Sequence, residues 1–185
     1  SDQVNTGIYV LEPEVLDWIP LGKMYDFSKD LFPKLLENGE ALYGCRLSGY
    51  WCDIGDLEQY RQAHYDVMDG RVKVKLPYAE GESEIWVHDS ARIGPGAKVV
   101  PPVIIGEDCY VEKGATVGPY SVLGKDTVLL NGSSAKKSIV WQGAQIGRGA
   151  QARGAVLCDR VKLGPSSQVL EGAAIGKDSM LEARS

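Results

Sequence analysis

The sequence predicts a mixed fold, in which a three-sided parallel β-helix over residues 87–185 follows an α/β segment over residues 1–70. The first observation is an apolar residue at every sixth position, a period that fits neither an amphipathic helix nor an ordinary strand. The second is a glycine directly after several of these positions, where a tight corner favours a residue without Cβ. The third is a contrast in composition, because aromatic residues concentrate before residue 70 whereas Val, Ile and Gly dominate after residue 86.

The six-residue period predicts coils of three short strands, each strand pointing one aliphatic side chain into a narrow core. The first run of in-phase residues is Val87, Ile93, Val99, Ile105, Val111, Val117, Leu123, Leu129 and Ala135. A second run, shifted by one residue, is Val140, Ile146, Ala152 and Cys158. A third run, shifted once more, is Leu163, Val169, Ile175 and Leu181. Two five-residue rungs are therefore predicted, one ending at Val140 and one ending at Leu163.

Pairs of adjacent aliphatic residues recur along this region at spacings of 18, 17 and 17 residues. The pairs are Ile104-Ile105, Val122-Leu123, Ile139-Val140 and Val156-Leu157. Three rungs therefore make one turn, and each turn stacks on the one before. The alternative fold, a sandwich of β-hairpins, would show an alternation of period two.

The first 70 residues predict alternating short strands and helices, with strands at residues 7–11 and 41–47 and helices at 14–18, 26–37 and 57–68. Two strands are too few to close a core, so we expect this sheet to be completed elsewhere, on upstream residues or on a partner.

Residues suited to helix ends support the two longer helices. Asp26 can cap the helix at 26–37, and Gly39 lies just past its end. Asp56 followed by Gln59 has the form of a capping box for the helix at 57–68.

The composition is that of an ordinary soluble protein, with a net charge of −5 and charges mixed along the chain. No basic stretch favours nucleic acid, and no apolar run is long enough to span a bilayer. The four cysteines lack the paired spacing of a zinc site, and no secretory leader is recognisable, so the reducing cytoplasm is the expected compartment. Cys109 and Cys158 are expected to be small buried apolar residues of the coils.

The six-residue repeat resembles that of the hexapeptide-repeat family of left-handed parallel β-helices. This resemblance covers residues 87–185 and supplies the expected handedness. Residues 71–86, which are charged and contain Pro and Gly, predict an extended linker before the first coil.

Three motifs before residue 70 resemble the last third of a sugar-1-phosphate nucleotidyltransferase domain. They are Asn-Thr-Gly-Ile-Tyr-Val-Leu at residues 5–11, Lys-Asp-Leu-Phe-Pro at 29–33 and Gly-Tyr-Trp-Cys-Asp-Ile-Gly at 49–55. The helix that follows fits the one that closes such a domain. The resemblance is greatest to bacterial mannose-1-phosphate guanylyltransferases and glucose-1-phosphate nucleotidyltransferases, many of which carry a hexapeptide β-helix behind the catalytic domain.

This resemblance implies an enzyme that makes a nucleoside diphosphate sugar, with GDP-mannose as the first candidate, from a sugar-1-phosphate and a nucleoside triphosphate. It also implies that Asp53 is a ligand of the catalytic Mg²⁺ and that Asn5 and Gly7 bind the sugar phosphate. The alternative for Asp53 is a loop residue that accepts hydrogen bonds from backbone amides. For Asn5 the alternative is a turn residue at the end of a strand.

The glycine-rich loop with which this family binds the triphosphate has no equivalent in the sequence. We therefore expect the chain to be the C-terminal part of a longer enzyme, to contain no catalytic residue of its own and to be inactive alone. Its β-helix would serve the assembly of a homo-oligomer or regulation. One alternative is a non-catalytic assembly or regulatory module. Another is a hexapeptide acyltransferase, for which His88 is the only candidate base in the repeat region.

Overall fold

The computed structural model describes residues 3–76 and 84–183, which divide into two compact units, Ser1–Trp51 and Cys52–Ser185. In the first unit a 3₁₀ helix spans Pro13–Trp18, and a π-helical turn at Phe27–Leu31 leads into helix α1 at Phe32–Glu37. The predicted cap is confirmed, because Asp26 Oδ1 accepts hydrogen bonds from the backbone N–H groups of Ser28 and Lys29, both at 2.8 Å.

The core of the first unit is small. Leu31 and Leu35 are buried, and Tyr9 packs its ring against the rings of Phe27 and Phe32 at centroid distances of 5.8 and 4.9 Å. Most other apolar side chains of this unit are partly or fully exposed to solvent, and Val10, for example, is 98% exposed. A core this small supplies little of the free energy that folding requires.

The strands predicted at residues 7–11 and 41–47 are absent from the structure, and no strand lies within residues 3–76. The prediction was wrong for a physical reason: β structure is defined by pairing, and neither segment finds a parallel or antiparallel neighbour among the described residues. Ile8 and Tyr43 consequently remain 67% and 93% exposed.

The second unit begins with helix α2 and continues into the β-helix. Helix α2 spans Leu57–Met68, and its predicted N-cap is confirmed, since Asp56 Oδ1 accepts from the backbone N–H of Gln59 at 2.8 Å. Part of the predicted linker, residues 77–83, lies outside the described residues, and the first strand begins at Ile85.

Short strands fill residues 84–183, as the period predicts. They are β1 (Ile85–Val87), β2 (Arg92–Ile93), β3 (Lys98–Val99), β4 (Val103–Ile105), β5 (Tyr110–Val111), β6 (Thr116–Val117), β7 (Ser121–Leu123), β8 (Val128–Leu129), β9 (Ser134–Lys136), β10 (Ile139–Val140), β11 (Gln145–Ile146), β12 (Gln151–Arg153), β13 (Val156–Leu157), β14 (Lys162–Leu163), β15 (Gln168–Val169), β16 (Ala174–Ile175) and β17 (Met180–Leu181).

These strands form three parallel sheets, and each coil contributes one strand to each sheet. Sheet A has the order β1-β4-β7-β10-β13-β16, sheet B the order β17-β14-β11-β8-β5-β2, and sheet C the order β15-β12-β9-β6-β3. Each strand therefore pairs with the strand three places further along the chain, which confirms a parallel β-helix with three rungs per turn.

The predicted inward phase is confirmed in the first run, where Ile105, Val111, Val117, Leu129 and Ala135 are fully buried. The first five-residue rung is also confirmed, because Val140 pairs with Leu123 one coil away.

The second short rung lies one rung earlier than the sequence predicts. Leu157, not Cys158, pairs with Val140 on one side and Ile175 on the other, and Leu157 is fully buried. Cys158 lies at the following corner and is half-buried. Both residues are apolar, so the six-residue period alone does not distinguish them, and the larger side chain fills the core better. Cys109 is buried as predicted.

Candidate functional site

Helix α2 lies over the outer face of sheet A. The Tyr65 hydroxyl donates to the carbonyl of Lys137, just before β10, at 2.7 Å. The Trp141 indole N–H donates to the Tyr60 hydroxyl, just after β10, at 3.0 Å. Because the helix is bonded to both ends of this strand, it covers the outward side chain of Ile139.

The outer face of sheet A is apolar, whereas that of sheet C is mostly polar and that of sheet B is mixed. The outward residues Trp86, Ile139 and Val156 of sheet A are 8%, 2% and 3% exposed although they point away from the core of the β-helix. Burial on both faces explains the pairs of adjacent aliphatic residues in these strands. The docking of α2 is therefore driven by apolar burial as well as by hydrogen bonds.

Arg61 is the buried charge of this contact. Its guanidinium Nη1 donates to the carbonyl of Gly154 and lies 3.7 Å from a carboxylate oxygen of Glu171. The residue is only 8% exposed. A charge held out of water in this way is costly unless it keeps its partners, so the contact fixes the helix at this point.

The far end of α2 is held by two tyrosines. The ring of Tyr65 packs on that of Tyr120 at a centroid distance of 5.0 Å, and the Tyr120 hydroxyl donates to Asp69 Oδ1 at 2.9 Å. Burial raises the pKa of Tyr65, and the hydrogen bond to Asp69 raises the pKa of Tyr120. Both hydroxyls therefore stay protonated as donors at neutral pH.

The predicted metal ligand, Asp53, stands in the loop that leads into α2. The thiol of Cys52 donates to Gln59 Oε1 at 3.7 Å, and Asp56 accepts from the backbone N–H of Gln59, so both ends of this loop are tied to the first turn of the helix. Asp53 itself is exposed. Within residues 3–76 and 84–183 its carboxylate makes no hydrogen bond or ion pair, and it is Asp56 that bonds a backbone amide.

The predicted sugar-phosphate residues, Asn5 and Gly7, form a turn in the first unit. Asn5 Oδ1 accepts from the backbone N–H of Gly7 at 2.9 Å, and Asn5 Nδ2 donates to the Tyr9 hydroxyl at 2.6 Å. Gly7 has a φ of +72°, which a residue with a Cβ adopts only with strain. This turn role is the alternative considered for Asn5, and it leaves one Nδ2–H free to donate.

The carboxylate of Asp53 is the candidate metal ligand of this chain. In the described part of the chain no three His, Cys, Asp or Glu side chains lie close enough together to hold one. The exposed carboxylate of Asp53 nevertheless suits Mg²⁺, which is commonly held by one or two carboxylates together with substrate phosphates and water. The residues present thus fit one ligand of such a site.

His88, the candidate base of an acyltransferase, belongs to the first corner of the β-helix. Its Nδ1 accepts from the backbone N–H of Ser90 at 3.2 Å and lies 2.8 Å from the Ser90 hydroxyl. That hydroxyl accepts from the backbone N–H of Asp108 in the next coil at 2.9 Å. The ring nitrogen that faces Ser90 is thus engaged in the corner structure.

As for the helices, none in the described ranges has both the length and the apolar character needed to cross a membrane.

The residues that dock α2 were not predicted as functional. Trp141, for example, donates its indole N–H to Tyr60 of α2. The pairs of adjacent aliphatic residues carried the missing signal, since two apolar residues in succession in a short strand indicate that both faces are covered.

Comparison with known protein families gives two matches in succession. Residues 1–70 match the sequence model of the nucleotidyl transferase family, and residues 82–162 match that of the GMPPB C-terminal domain. The order of the two matches is the order that the motifs and the repeat predicted.

Curated relatives agree with these matches. The chain is 32% identical over 177 residues to a UTP–glucose-1-phosphate uridylyltransferase of Synechocystis, an alignment that covers 95% of this chain and 44% of the relative. It is 34% identical over 121 residues to a mannose-1-phosphate guanylyltransferase of Mycobacterium tuberculosis, covering 64% of this chain and 32% of that one. The chain thus spans less than half the length of these two relatives.

A solved structure, the acetyltransferase domain of PglB from Neisseria gonorrhoeae FA1090, aligns with 66% of this chain and 63% of that one. The TM-score is 0.36 and the sequence identity 15%, so this similarity supports no conclusion about function. The two family matches, their order and the parallel β-helix together fit a fragment of a hexapeptide-repeat nucleotidyltransferase, and the curated relatives that the chain resembles are sugar-1-phosphate nucleotidyltransferases.

Proposed function

We propose that this chain is the C-terminal part of an enzyme that joins a sugar-1-phosphate to a nucleoside triphosphate and releases pyrophosphate. The observation that carries the proposal is the match of residues 1–70 to nucleotidyl transferases directly before a match to the GMPPB C-terminal domain. GDP-mannose is our first candidate for the product, because the second match and a guanylyltransferase relative point the same way.

In this reaction an oxygen of the sugar phosphate attacks the α-phosphorus of the triphosphate. A new P–O bond forms as the bond between the α-phosphorus and the oxygen leading to the β-phosphate breaks, and pyrophosphate leaves with that oxygen. Bound Mg²⁺ would neutralise the charge on the phosphates. The enzyme's own contribution is to hold the two substrates in line.

Asp53 would hold the metal in this scheme. Its carboxylate is exposed and makes no hydrogen bond within the described ranges, so both oxygens are free to bind a cation. The loop ends at Cys52 and Asp56 are tied to Gln59, which limits how far the carboxylate can move. A hard oxygen ligand on a restrained loop is what a Mg²⁺ site requires.

Asn5 and Gly7 would bind the sugar phosphate. The second Nδ2–H of Asn5 is available to donate to a phosphate or hydroxyl oxygen, while the first fixes the amide against Tyr9. Gly7 has no Cβ, and the space that a Cβ would occupy is open, with no atom within 4 Å. Substrate can therefore approach the main chain closely at this turn.

The β-helix would serve assembly into a homo-oligomer or regulation. We place the protein in the cytoplasm, a compartment that suits its four free cysteines, Cys45, Cys52, Cys109 and Cys158.

Pyrophosphate release tests the proposal. This chain and the complete reading frame that contains it are each incubated with common nucleoside triphosphates, hexose-1-phosphates and Mg²⁺. We expect release from the complete protein and none from residues 1–185 alone. Release from the isolated chain would contradict the view that it lacks the triphosphate-binding part, and no release from the complete protein would favour a non-catalytic assembly module.

The variant Asp53→Asn tests the metal role in the complete protein. It keeps the shape of the side chain and removes the charge, so turnover should fall by about two orders of magnitude or more, because metal stabilisation of phosphoryl charge is worth several kcal/mol. The melting temperature should stay close to that of the parent, and added Mg²⁺ should restore part of the activity. A variant that loses stability but keeps its turnover would show Asp53 to be a structural loop residue.

A further inference from the structure

We propose that Arg61 is a positioning residue: by fixing helix α2 to the β-helix, it holds the loop that carries Asp53. The metal part of this inference rests on the proposed function. Its structural part rests on a continuous series of contacts from the corner at Gly154, through Arg61 and the first turns of α2, to the loop at residues 52–56.

The contact at Gly154 is the buried link of this series. Arg61 is almost fully buried, and its Nη1 donates to a backbone carbonyl, a group that cannot move without disturbing the coil. Among the described residues its Nε has no hydrogen-bond partner, so the guanidinium depends on Gly154 and on Glu171. Arginine is suited to this role because its planar group is always charged and loses little freedom on binding.

The link from Arg61 to Asp53 is short. Arg61 lies five positions after Asp56, a helical rise of about 7.5 Å. Gln59, between them, receives the thiol of Cys52 on its side chain and gives its backbone N–H to Asp56. Rotation or withdrawal of α2 therefore displaces both ends of the loop together.

Gly154 is shaped for this contact. A Cβ at this position would lie 2.7 Å from Arg61 Nη1 and 2.8 Å from Cγ of Glu171. Its φ of +57° does not itself demand glycine, since Tyr120 and Lys137 occupy the same corner in earlier coils with φ of +57° and +50°. What glycine provides here is the space for the guanidinium.

A matched control lies at the corner between β8 and β9, away from sheet A. Gly132 has a φ of +69°, and a Cβ there would meet no atom closer than 3.9 Å. Gly132→Ala therefore introduces at least as much backbone strain as Gly154→Ala, without displacing Arg61. The pair of variants separates the contact from the strain, and it avoids Arg61→Ala, which could simply unfold the unit.

Hydrogen exchange on the chain of residues 1–185 measures the docking. We expect Gly154→Ala to raise exchange of the amides of residues 52–61 by about tenfold or more, because exchange follows local opening. Gly132→Ala should leave these amides within about twofold of the parent. Equal exchange in the two variants would overturn the positioning role of Arg61.

The Mg²⁺ dependence of the complete protein measures the consequence for Asp53. Gly154→Ala should raise the Mg²⁺ concentration at half-maximal turnover severalfold, whereas loss of folded protein alone would lower the maximal rate without moving that concentration. An unchanged Mg²⁺ midpoint together with raised exchange would overturn the link from Arg61 to Asp53. If the parent itself releases no pyrophosphate, the proposed function fails and the metal role of this inference with it, while the exchange experiment still decides the docking.

Discussion

The register of the β-helix can be tested at Leu157, where the structure departs from the sequence period. Leu157→Ala removes three carbon atoms from a fully buried position that pairs with Val140 and Ile175. Their transfer from water contributes about 0.8 kcal/mol each, or about 2.4 kcal/mol in total. A cavity is then left in a core whose rungs cannot close, because the hydrogen-bond ladder fixes their spacing at about 4.8 Å.

Leu157→Ala should therefore lower the free energy of unfolding by about 3 to 4 kcal/mol, within the range for leucine truncations in rigid cores. Cys158→Ala is the matched control, since it changes the neighbouring, half-buried corner residue and should cost less than about 1 kcal/mol.

Urea unfolding followed by far-UV circular dichroism measures both variants. Because β-helices can unfold coil by coil, the midpoint and the slope of the transition are both compared with the parent. A larger loss in Cys158→Ala than in Leu157→Ala would refute the register and favour the one that the period predicts.

Three further outcomes are expected. Val111→Asp places a carboxylate in the fully buried core and should lower stability by several kcal/mol, so a melting temperature equal to that of the parent would contradict the inward phase. Burial raises the pKa of Cys109 to about 11, so iodoacetamide at pH 8 should alkylate exposed Cys45 well before Cys109; equal labelling by mass spectrometry would disprove this burial. Hydrogen bonds from Arg160 lower the pKa of Asp178, so the Asp178 pKa measured by carboxyl NMR should rise in Arg160→Ala. The stabilisation from this exposed pair is present above the usual pKa of Asp. It is lost as the pH falls through the lowered pKa of Asp178.

The β-helix was predictable because its signal is repeated. One aliphatic residue per rung is required in every coil, so errors at single positions average out over the array. The second short rung was misplaced because Leu157 and Cys158 are both apolar and adjacent. Only side-chain size favours Leu157 over Cys158 as the inward residue, because the larger side chain fills the closed core better.

The first 70 residues were predictable in part. Helix ends at Asp26 and Asp56 were identified because an N-cap depends on local hydrogen bonds. The strands predicted at 7–11 and 41–47 do not form, because a strand requires neighbouring strands to pair with, and the local sequence does not specify them.

The candidate site was also predictable only in part. The motif around Asp53 identifies the loop, and the caps identify the start of α2. The contact of Arg61 with Gly154 joins residues far apart in sequence, and neither local sequence predicts it. Such contacts follow from the packing of complete elements, and the structure is needed to see them.

The helix on sheet A also limits how copies of this chain could join. A three-sided β-helix offers three flat sides and two ends for association, but α2 already occupies one side. Sheet C presents mostly polar or charged side chains outward, such as Gln168, which favour contacts that are wet and sensitive to salt. Sheet B presents a mixture, in which charged residues such as Lys162 alternate with Tyr110 and Met180. The one side whose outward residues are all apolar is therefore taken, because the chain has used that surface for its own helix.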